Sequence, residues 1–326
     1  MSIRLSSNLC PFTNLHDRFV PGGYGESHSF EEQLALLSQV DGIEGVALGW
    51  PSQFEDGAQV KSLLDPLGLR LATVEPDVYS DARFKHGSLT NRDAGVRRES
   101  VAIIKSAIDA ALAGGAHDLS LWLAQDGFDY LFSADYAAAW GWLLDGLAEV
   151  ADHNPALPIS LEPKCKEPRA NQYVSTIGRG LLICAKLDRP HFGLALDYGH
   201  CLAALESPAE CAALALREDR LQQVHLNDNY RDWDHDLVPG ATTVWDHVEF
   251  FYWLRKLGYD GWCSVDVFPY REDGAQALNA TVQVVRTCCA LAAQLEAEGV
   301  DELVRDGRHL EVLSRLWARL ANVSDE

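Results

Sequence analysis

Basic side chains are scarce: 27 Lys and Arg stand against 48 Asp and Glu in 326 residues, a formal net charge of −21. A chain that tracks phosphates needs clustered Lys and Arg to displace counterions. The densest basic run here is Arg97-Arg98, with no aromatic residue interleaved, so nucleic-acid partners and anionic membrane surfaces are both disfavoured. Long apolar runs are missing as well. Nothing approaches the roughly 18 consecutive apolar residues of a membrane span, and residues 1–20 lack the apolar stretch of a secretory signal, so a cytoplasmic location is expected. The eight cysteines include no CxxC pair and sit in apolar stretches such as LLICAKL and GWCSVDV, which reads as buried free thiol and not as a disulfide framework. No phosphate-cradling glycine motif is present. The cluster PGGYGES at 21–27 has neither GxGxxG nor GK[ST] spacing and reads as a flexible loop over a site or as a plain surface turn. No low-complexity tract or Pro/Ser-rich linker divides the chain.

What the sequence does contain is an alternation. Short apolar runs at 3–10, 40–50, 69–77, 117–124, 157–163, 192–199, 221–228 and 261–268 alternate with amphipathic stretches of helical period at 30–40, 97–115, 134–152, 207–219, 244–258 and 274–299. Strict strand–helix alternation implies right-handed crossovers and a parallel sheet, and eight such units close into a barrel. The expected fold is an α/β (β/α)8 TIM barrel over residues 1–299, the catalytic domain, with a C-terminal helical extension over 300–326. A doubly wound open sheet is the runner-up. In the extension, HLEVLSRLWARLANV (309–323) places Leu310, Leu313, Leu316, Trp317 and Leu320 at helical spacing. This stripe can pack on its own barrel or dock on a neighbouring subunit.

In such a barrel the reactive groups stand at the carboxyl ends of the strands. The fifth to eighth runs end in Glu162, Asp197, His225 and Asp266, each about one βα unit from the next. His200 follows Asp197 by three residues, and the loop after the seventh run carries Asp234 and Asp236, which in an extended loop point the same way. Carboxylates gathered on one rim repel by roughly 4 kcal/mol per pair at about 4 Å and an effective dielectric near 20. One lysine, Lys164, cannot neutralise that. Divalent cations can, and a mostly oxygen donor set with a few imidazoles suits manganese, Mg²⁺ or Co²⁺ better than a thiolate-seeking zinc.

The motifs LEPK (161–164), LDYGH (196–200), HLND (225–228), DHDL (234–237) and SVDVF (264–268) resemble those of the xylose-isomerase-like TIM barrels, specifically the xylose isomerase and L-rhamnose isomerase branch. GSLTNRD (87–93) and LWLAQDG (121–127) add to the resemblance, which covers roughly residues 40 to 290. The resemblance implies a homo-oligomer, dimer or tetramer, and two divalent cations per subunit, with Mn²⁺ ahead of Mg²⁺ or Co²⁺. The first falls to Glu162, Asp197, His225 and Asp266, and the second to His200, Asp234 and Asp236 with Asp197 bridging. It also implies that Lys164 sits against the substrate's carbonyl end and that Trp122 walls the sugar pocket. Trp50 and Phe268 extend that wall or pack in the core. Two departures stand out. Asp197 occupies a position where xylose isomerase has a longer Glu, and the ring-opening His–Asp pair of that enzyme has no clear counterpart, His86 being a candidate substitute.

The function implied is a metal-dependent aldose–ketose isomerase acting on an unphosphorylated monosaccharide by a 1,2-hydride shift. One ion chelates two substrate oxygens, while the second, on Asp234 and Asp236, acidifies a water that takes the O2 proton. A ketose epimerase on the same barrel would use one ion and two glutamates; the shorter Asp266 and the second-ion residues favour the isomerase. A non-catalytic sugar-binding or assembly subunit would not need those residues. An apurinic-site endonuclease would want a basic face that this chain lacks.

Overall fold

The sequence alternation closes into a ring. In the computed structural model, which describes residues 3–321, the barrel strands are β1 (Arg4–Ser7), β2 (Ile43–Trp50), β3 (Arg70–Pro76), β4 (Asp118–Trp122), β5 (Ile159–Glu162), β6 (Phe192–Asp197), β7 (Leu221–Leu226) and β8 (Trp262–Val265). Each pairs in parallel with its sequence neighbour, and β8 returns to β1. All eight expected runs contain one of these strands. The rim also carries a two-stranded antiparallel piece, Gly127–Phe128 against Asn171–Gln172, which the sequence pattern did not show.

Helices α1 (Phe30–Leu37), α2 (Gly57–Leu64), α3 (Ala94–Gly114), α4 (Tyr136–Ala151), α5 (Ile177–Leu187), α6 (Tyr198–Ala203), α7 (Pro208–Arg217), α8 (Val244–Lys256) and α9 (Gly274–Ala297) follow the strands. Most begin on an N-cap that local sequence supplies: Ser29, Asp56, Asp93, Asp135, Thr176, Asp197, Ser207 and Asp273 each accept a backbone N–H from the first turn. At Ser29 the reciprocal bond from Glu32 completes a capping box. Helices α2, α5 and α6 were not among the expected ones. Gly178 and Gly180 weaken the helical signal of α5, but a Cβ on Gly180 would stand 2.8 Å from Leu194 Cδ2, so close docking of the helix on β6 requires glycine there.

Alternation along the strands divides the protein into an apolar shell and a polar bore. Val46, Leu48, Val74, Leu119, Leu121, Leu161, Leu194, Leu196, Val224, Leu226 and Val265 are buried in the main apolar cluster. The opposite face carries small or polar residues at mid-height: Ser6, Ala47, Thr73, Ser120, Ser160, Ala195, Gln223 and Ser264, all buried. Two residues further along each strand direction come Asn8, Gly49, Glu75, Trp122, Glu162, Asp197, His225 and Asp266. Small side chains in the middle layer leave the bore open above them, and the following layer forms the floor of the rim.

Beyond α9, α10 (Val300–Arg305) and α11 (His309–Ala321) complete the chain. Val312 and Leu316 pack on the barrel's apolar cluster, and Trp317 meets Trp245 edge-on at 6.2 Å. Leu310, Leu313 and Trp317 stay largely exposed. The Leu320 side chain of the expected stripe and residues 322–326 of the expected extension lie outside the described residues. Cys184, Cys201, Cys211, Cys263 and Cys288 are buried free thiols as expected, whereas Cys10, Cys165 and Cys289 are only half-buried. Among the described residues no helix is long and apolar enough to cross a membrane.

Candidate metal centre

Strand register brings the rim residues level. Trp122 pairs with Glu162, Asp197 with His225, and His225 with Ser264, two residues before Asp266. Trp122, Glu162, His225 and Asp266 border a cavity of about 610 Å³ whose lining also includes Glu75, Lys164, His200, Asp234, Asp236 and Phe268, while Asp197 is buried behind it. That volume suits a small polar ligand.

Two groups of ligand atoms, each within 4.8 Å of one another, overlap at Asp197: Glu162, Asp197, His225 and Asp266 form one, and Asp197, His200 and Asp234 the other. In the first, His225 Nδ1 lies 3.3 Å from Glu162 Oε1 and 3.9 Å from Asp197 Oδ2. In the second, His200 Nε2 lies 3.0 Å from Asp234 Oδ2. Neighbours aim these groups. Asn8 Nδ2 donates to Asp266 (2.6 Å), Asn227 Nδ2 to Asp197 (3.0 Å), and the His200 backbone N–H to Asp197 Oδ1 (2.7 Å). Asp197 thus caps α6, the single turn that carries His200. Asp236 lines the same cavity but stands outside the Asp197–His200–Asp234 group. The backbone at Asp236 is left-handed, φ 49°, so the loop is not extended there, and Asn227 Nδ2 is 3.4 Å from its carboxylate.

Electrostatics single out the same spot. Burial disfavours ionised carboxyls, yet His225 and His200 hold Glu162 well below the ordinary carboxylate range, and His200 and Lys164 do the same for Asp234. Burial, with Asp234 and Glu162 adding to it, pushes Asp197 up to about 7. Burial and the adjacent Asp234 and Asp266 lift Asp236 well above its usual value. Burial would lower His225, but Glu162 and Asp266 carry it up to about 10. Ionised together, the carboxyls of Glu162, Asp197, Asp234, Asp236 and Asp266 would outnumber Lys164, His200 and His225, and the upward shifts of Asp197, Asp236 and Asp266 reflect that crowding as well as burial. Both ring nitrogens of His225 and Oδ1 of Asp234 are buried without a hydrogen-bond partner. Unpartnered imidazole nitrogens among under-neutralised carboxylates fit a divalent cation.

Lys164 lines the cavity beside the second group. Its ammonium lies 2.8 Å from both Asp234 Oδ2 and Glu167 Oε2 and 4.9 Å from the Trp122 ring centroid. Burial opposes the charge, but Asp234 and Glu167 outweigh it and keep the ammonium protonated. Phe268 stacks near Tyr270 at 6.4 Å on the rim.

Two sequence candidates lie elsewhere. The Trp50 side chain is absent from the cavity lining and donates to Glu55 O (3.3 Å); Ala47 and Gly49 line the cavity from β2, so alternation turns Trp50 to the other face. His86 is exposed and borders a separate cavity of about 210 Å³ with Thr90, Arg92, Trp142 and Arg169. Conversely, Glu75 was missed. It lines the main cavity from the end of β3, and burial pushes its carboxyl up to about 7. It terminates the third apolar run as Glu162 terminates the fifth, so the strand-end rule reaches it. Asp126 was missed too. Its carboxylate accepts from Ser88 N (2.9 Å), Thr90 N (2.5 Å), Thr90 Oγ1 (2.6 Å) and Ser88 Oγ, binding GSLTNRD to LWLAQDG.

The profile of the xylose isomerase-like TIM barrel family matches residues 18–288. A xylose isomerase of Thermus thermophilus is 28% identical over 267 residues, covering 79% of this chain and 69% of that relative. A xylose isomerase of Roseobacter denitrificans is 29% identical over 288 residues, 80% of this chain and 64% of the relative. The solved L-ribulose 3-epimerase superposes with a TM-score of 0.70 at 15% identity, covering 91% of this chain and 98% of that one, and shows the shared fold. With the family profile spanning most of its length, this chain belongs to the xylose isomerase-like TIM barrels.

Proposed function

We propose that this protein is an aldose–ketose isomerase acting on a free, unphosphorylated monosaccharide, with two divalent cations per subunit. The observation that carries the reading is the pair of overlapping ligand groups sharing Asp197. One group would serve a one-ion reaction. The second is what moving both a hydrogen and a proton demands, and what a binding subunit has no use for. Glu162, Asp197, His225 and Asp266 would hold the first ion; His200 and Asp234, with Asp236 beside them, would hold the second. Mn²⁺ suits this oxygen-rich set, as do Mg²⁺ and Co²⁺. Bound there, the ions supply positive charge that polarises the sugar oxygens and acidifies their protons.

The remaining work falls to the chain's own side chains. Trp122 and Phe268 offer apolar faces to the sugar ring or chain. The Lys164 ammonium, fixed by Asp234 and Glu167, keeps its third N–H donor for the carbonyl oxygen of the substrate. It stabilises the charge that grows on O1 as hydrogen moves with its electron pair from C2 to C1. The net change is that shift plus transfer of a proton from O2 to O1, so no redox cofactor enters. Among the described residues no arginine lines the cavity, which agrees with a sugar lacking phosphate.

An aldose deuterated at C2, incubated with Mn²⁺, should give a ketose that keeps the label at C1. Washout into solvent would replace the hydride shift by proton abstraction, and a ketose substrate epimerised at C3 with no aldose formed would replace this reading by the ketose epimerase. Screening pentoses, hexoses and deoxyhexoses identifies the sugar. The Asp234→Asn/Asp236→Asn double variant should lose turnover while still binding one ion; undiminished turnover rejects the assignment of the second group.

A further inference from the structure

A third grouping of metal-capable side chains lies outside the cavity: Cys201, Glu206 and Cys211, with Sγ, carboxylate O and Sγ all within 4.8 Å of one another. Among the described residues it is the one such grouping that contains sulfur. Local structure assembles it. Cys201 follows His200 on α6, about 100° further round the helix, so the two point in different directions from one turn. The chain then reverses at Leu205, φ 60°, and the Glu206 N–H bonds back to Cys201 O at 2.9 Å. Ser207 caps α7, whose first turn delivers Cys211, and both thiols are buried. The Glu206 carboxylate is itself oriented, accepting the Ile177 N–H at the start of α5 (3.2 Å), and remains half-buried with access to solvent.

We infer that Cys201, Glu206 and Cys211 form a binding site for one thiophilic divalent cation of the zinc class, distinct in chemistry from the oxygen-rich centre. In a tetrahedral ion with Zn–S near 2.3 Å and Zn–O near 2.0–2.2 Å, ligand atoms stand about 3.3–3.8 Å apart, within small side-chain adjustments of the observed triangle. Two thiolates select Zn²⁺ or Cd²⁺ over Mg²⁺ and Mn²⁺. The fourth position falls to water on the Glu206 side, and the hydrogen bond from Ile177 is the outer support that fixes a ligand's orientation. Binding releases two thiol protons to solvent, one from each cysteine, and forms two metal–sulfur bonds; no electron is transferred. Because α6 carries Cys201 and His200 side by side, occupancy of this site ties that turn to α7 and restrains His200 in the cavity.

The test uses the full-length reduced protein with its oxygen-rich centre saturated with Mg²⁺, titrated with Co²⁺ under argon. A sulfur-to-cobalt charge-transfer band in the near ultraviolet, saturating at one equivalent and abolished by Cd²⁺, is expected; oxygen and imidazole ligands give no such band, so the readout is independent of whether the sugar site works as proposed. Cys201→Ser/Cys211→Ser should lose the band. Glu206→Gln, which keeps both thiols, should retain it with the midpoint raised about tenfold. A reduced wild-type protein without the band overturns the inference. So does a band that survives in the double serine variant, or a Cys201–Cys211 disulfide found by mass in protein kept under reductant.

Discussion

Asp126 offers a test of how the cavity wall is held. Its carboxylate accepts four hydrogen bonds, two from backbone N–H groups and two from hydroxyls, at the junction of the β3–α3 and β4–α4 loops. Asp126→Asn keeps one oxygen for Thr90 but turns an NH₂ toward Ser88. The Ser88 hydroxyl can rotate to accept; its backbone N–H cannot, and is left buried and unpaired at a cost of about 1–3 kcal/mol. The Thr90 bonds fall from charge-assisted, about 1.5–3 kcal/mol each, to neutral, about 0.5–1.5. Against this, burial disfavours the carboxylate and pushes its proton affinity up, and the amide escapes that penalty. The balance comes to about 2–4 kcal/mol of destabilisation. At about 2 °C per kcal/mol for a chain of this size, Tm should fall about 4–8 °C in a calorimetric scan at fixed rate. A Tm within about 1 °C of wild type would show that this junction does not hold the two loops together, and the reasoning from hydrogen-bond count would be refuted.

Other outcomes follow from the same geometry. Chelation should lower Tm by about 5 °C, the share expected for loss of an ion held at roughly 100 times its Kd, and added Mn²⁺ should restore it; an unchanged Tm in both directions argues against a bound cation. Lys164→Met should reduce kcat roughly 100-fold or more with little change in KM, and a loss under about threefold would remove Lys164 from the reaction. His247 is buried, stacked 3.8 Å from Tyr198, and burial holds its imidazole below the ordinary value. The unfolded chain therefore takes up a proton near pH 6.5 that the folded chain accepts only at lower pH, so stability falls as pH drops below about 6.5. His247→Gln should flatten the Tm slope between about pH 6.5 and 5; identical slopes would assign the dependence to other groups.

The barrel was legible because period-2 strands and capped amphipathic helices leave strong, regular marks, and Glu162, Asp197, His225 and Asp266 because charge at the end of an apolar run has few bland explanations when it recurs on consecutive strands. Trp50 stayed open between cavity wall and core because being last in a run does not fix the face; it packs on the core, and Gly49, one residue earlier, lines the cavity. His86 depended on a loop whose path only tertiary contacts determine. Glu75 went unnoticed because the strand-end rule was applied to four strands out of eight. Helices α2 and α5 escaped because their glycines lower propensity at positions where packing, as at Gly180 against Leu194, demands a missing Cβ.

Asp197 serves two masters. The same carboxylate that faces His225 and His200 also starts the turn on which His200 rides, by accepting that residue's backbone N–H. A glutamate's extra methylene would carry its oxygens past the amide they must meet, so lengthening this acid would fray the turn as it shifted the ligand. Asparagine could begin the helix but brings no charge. A longer acid at this position, as in xylose isomerase, therefore goes with a turn that starts differently, and in this chain cap and ligand can only be retuned together.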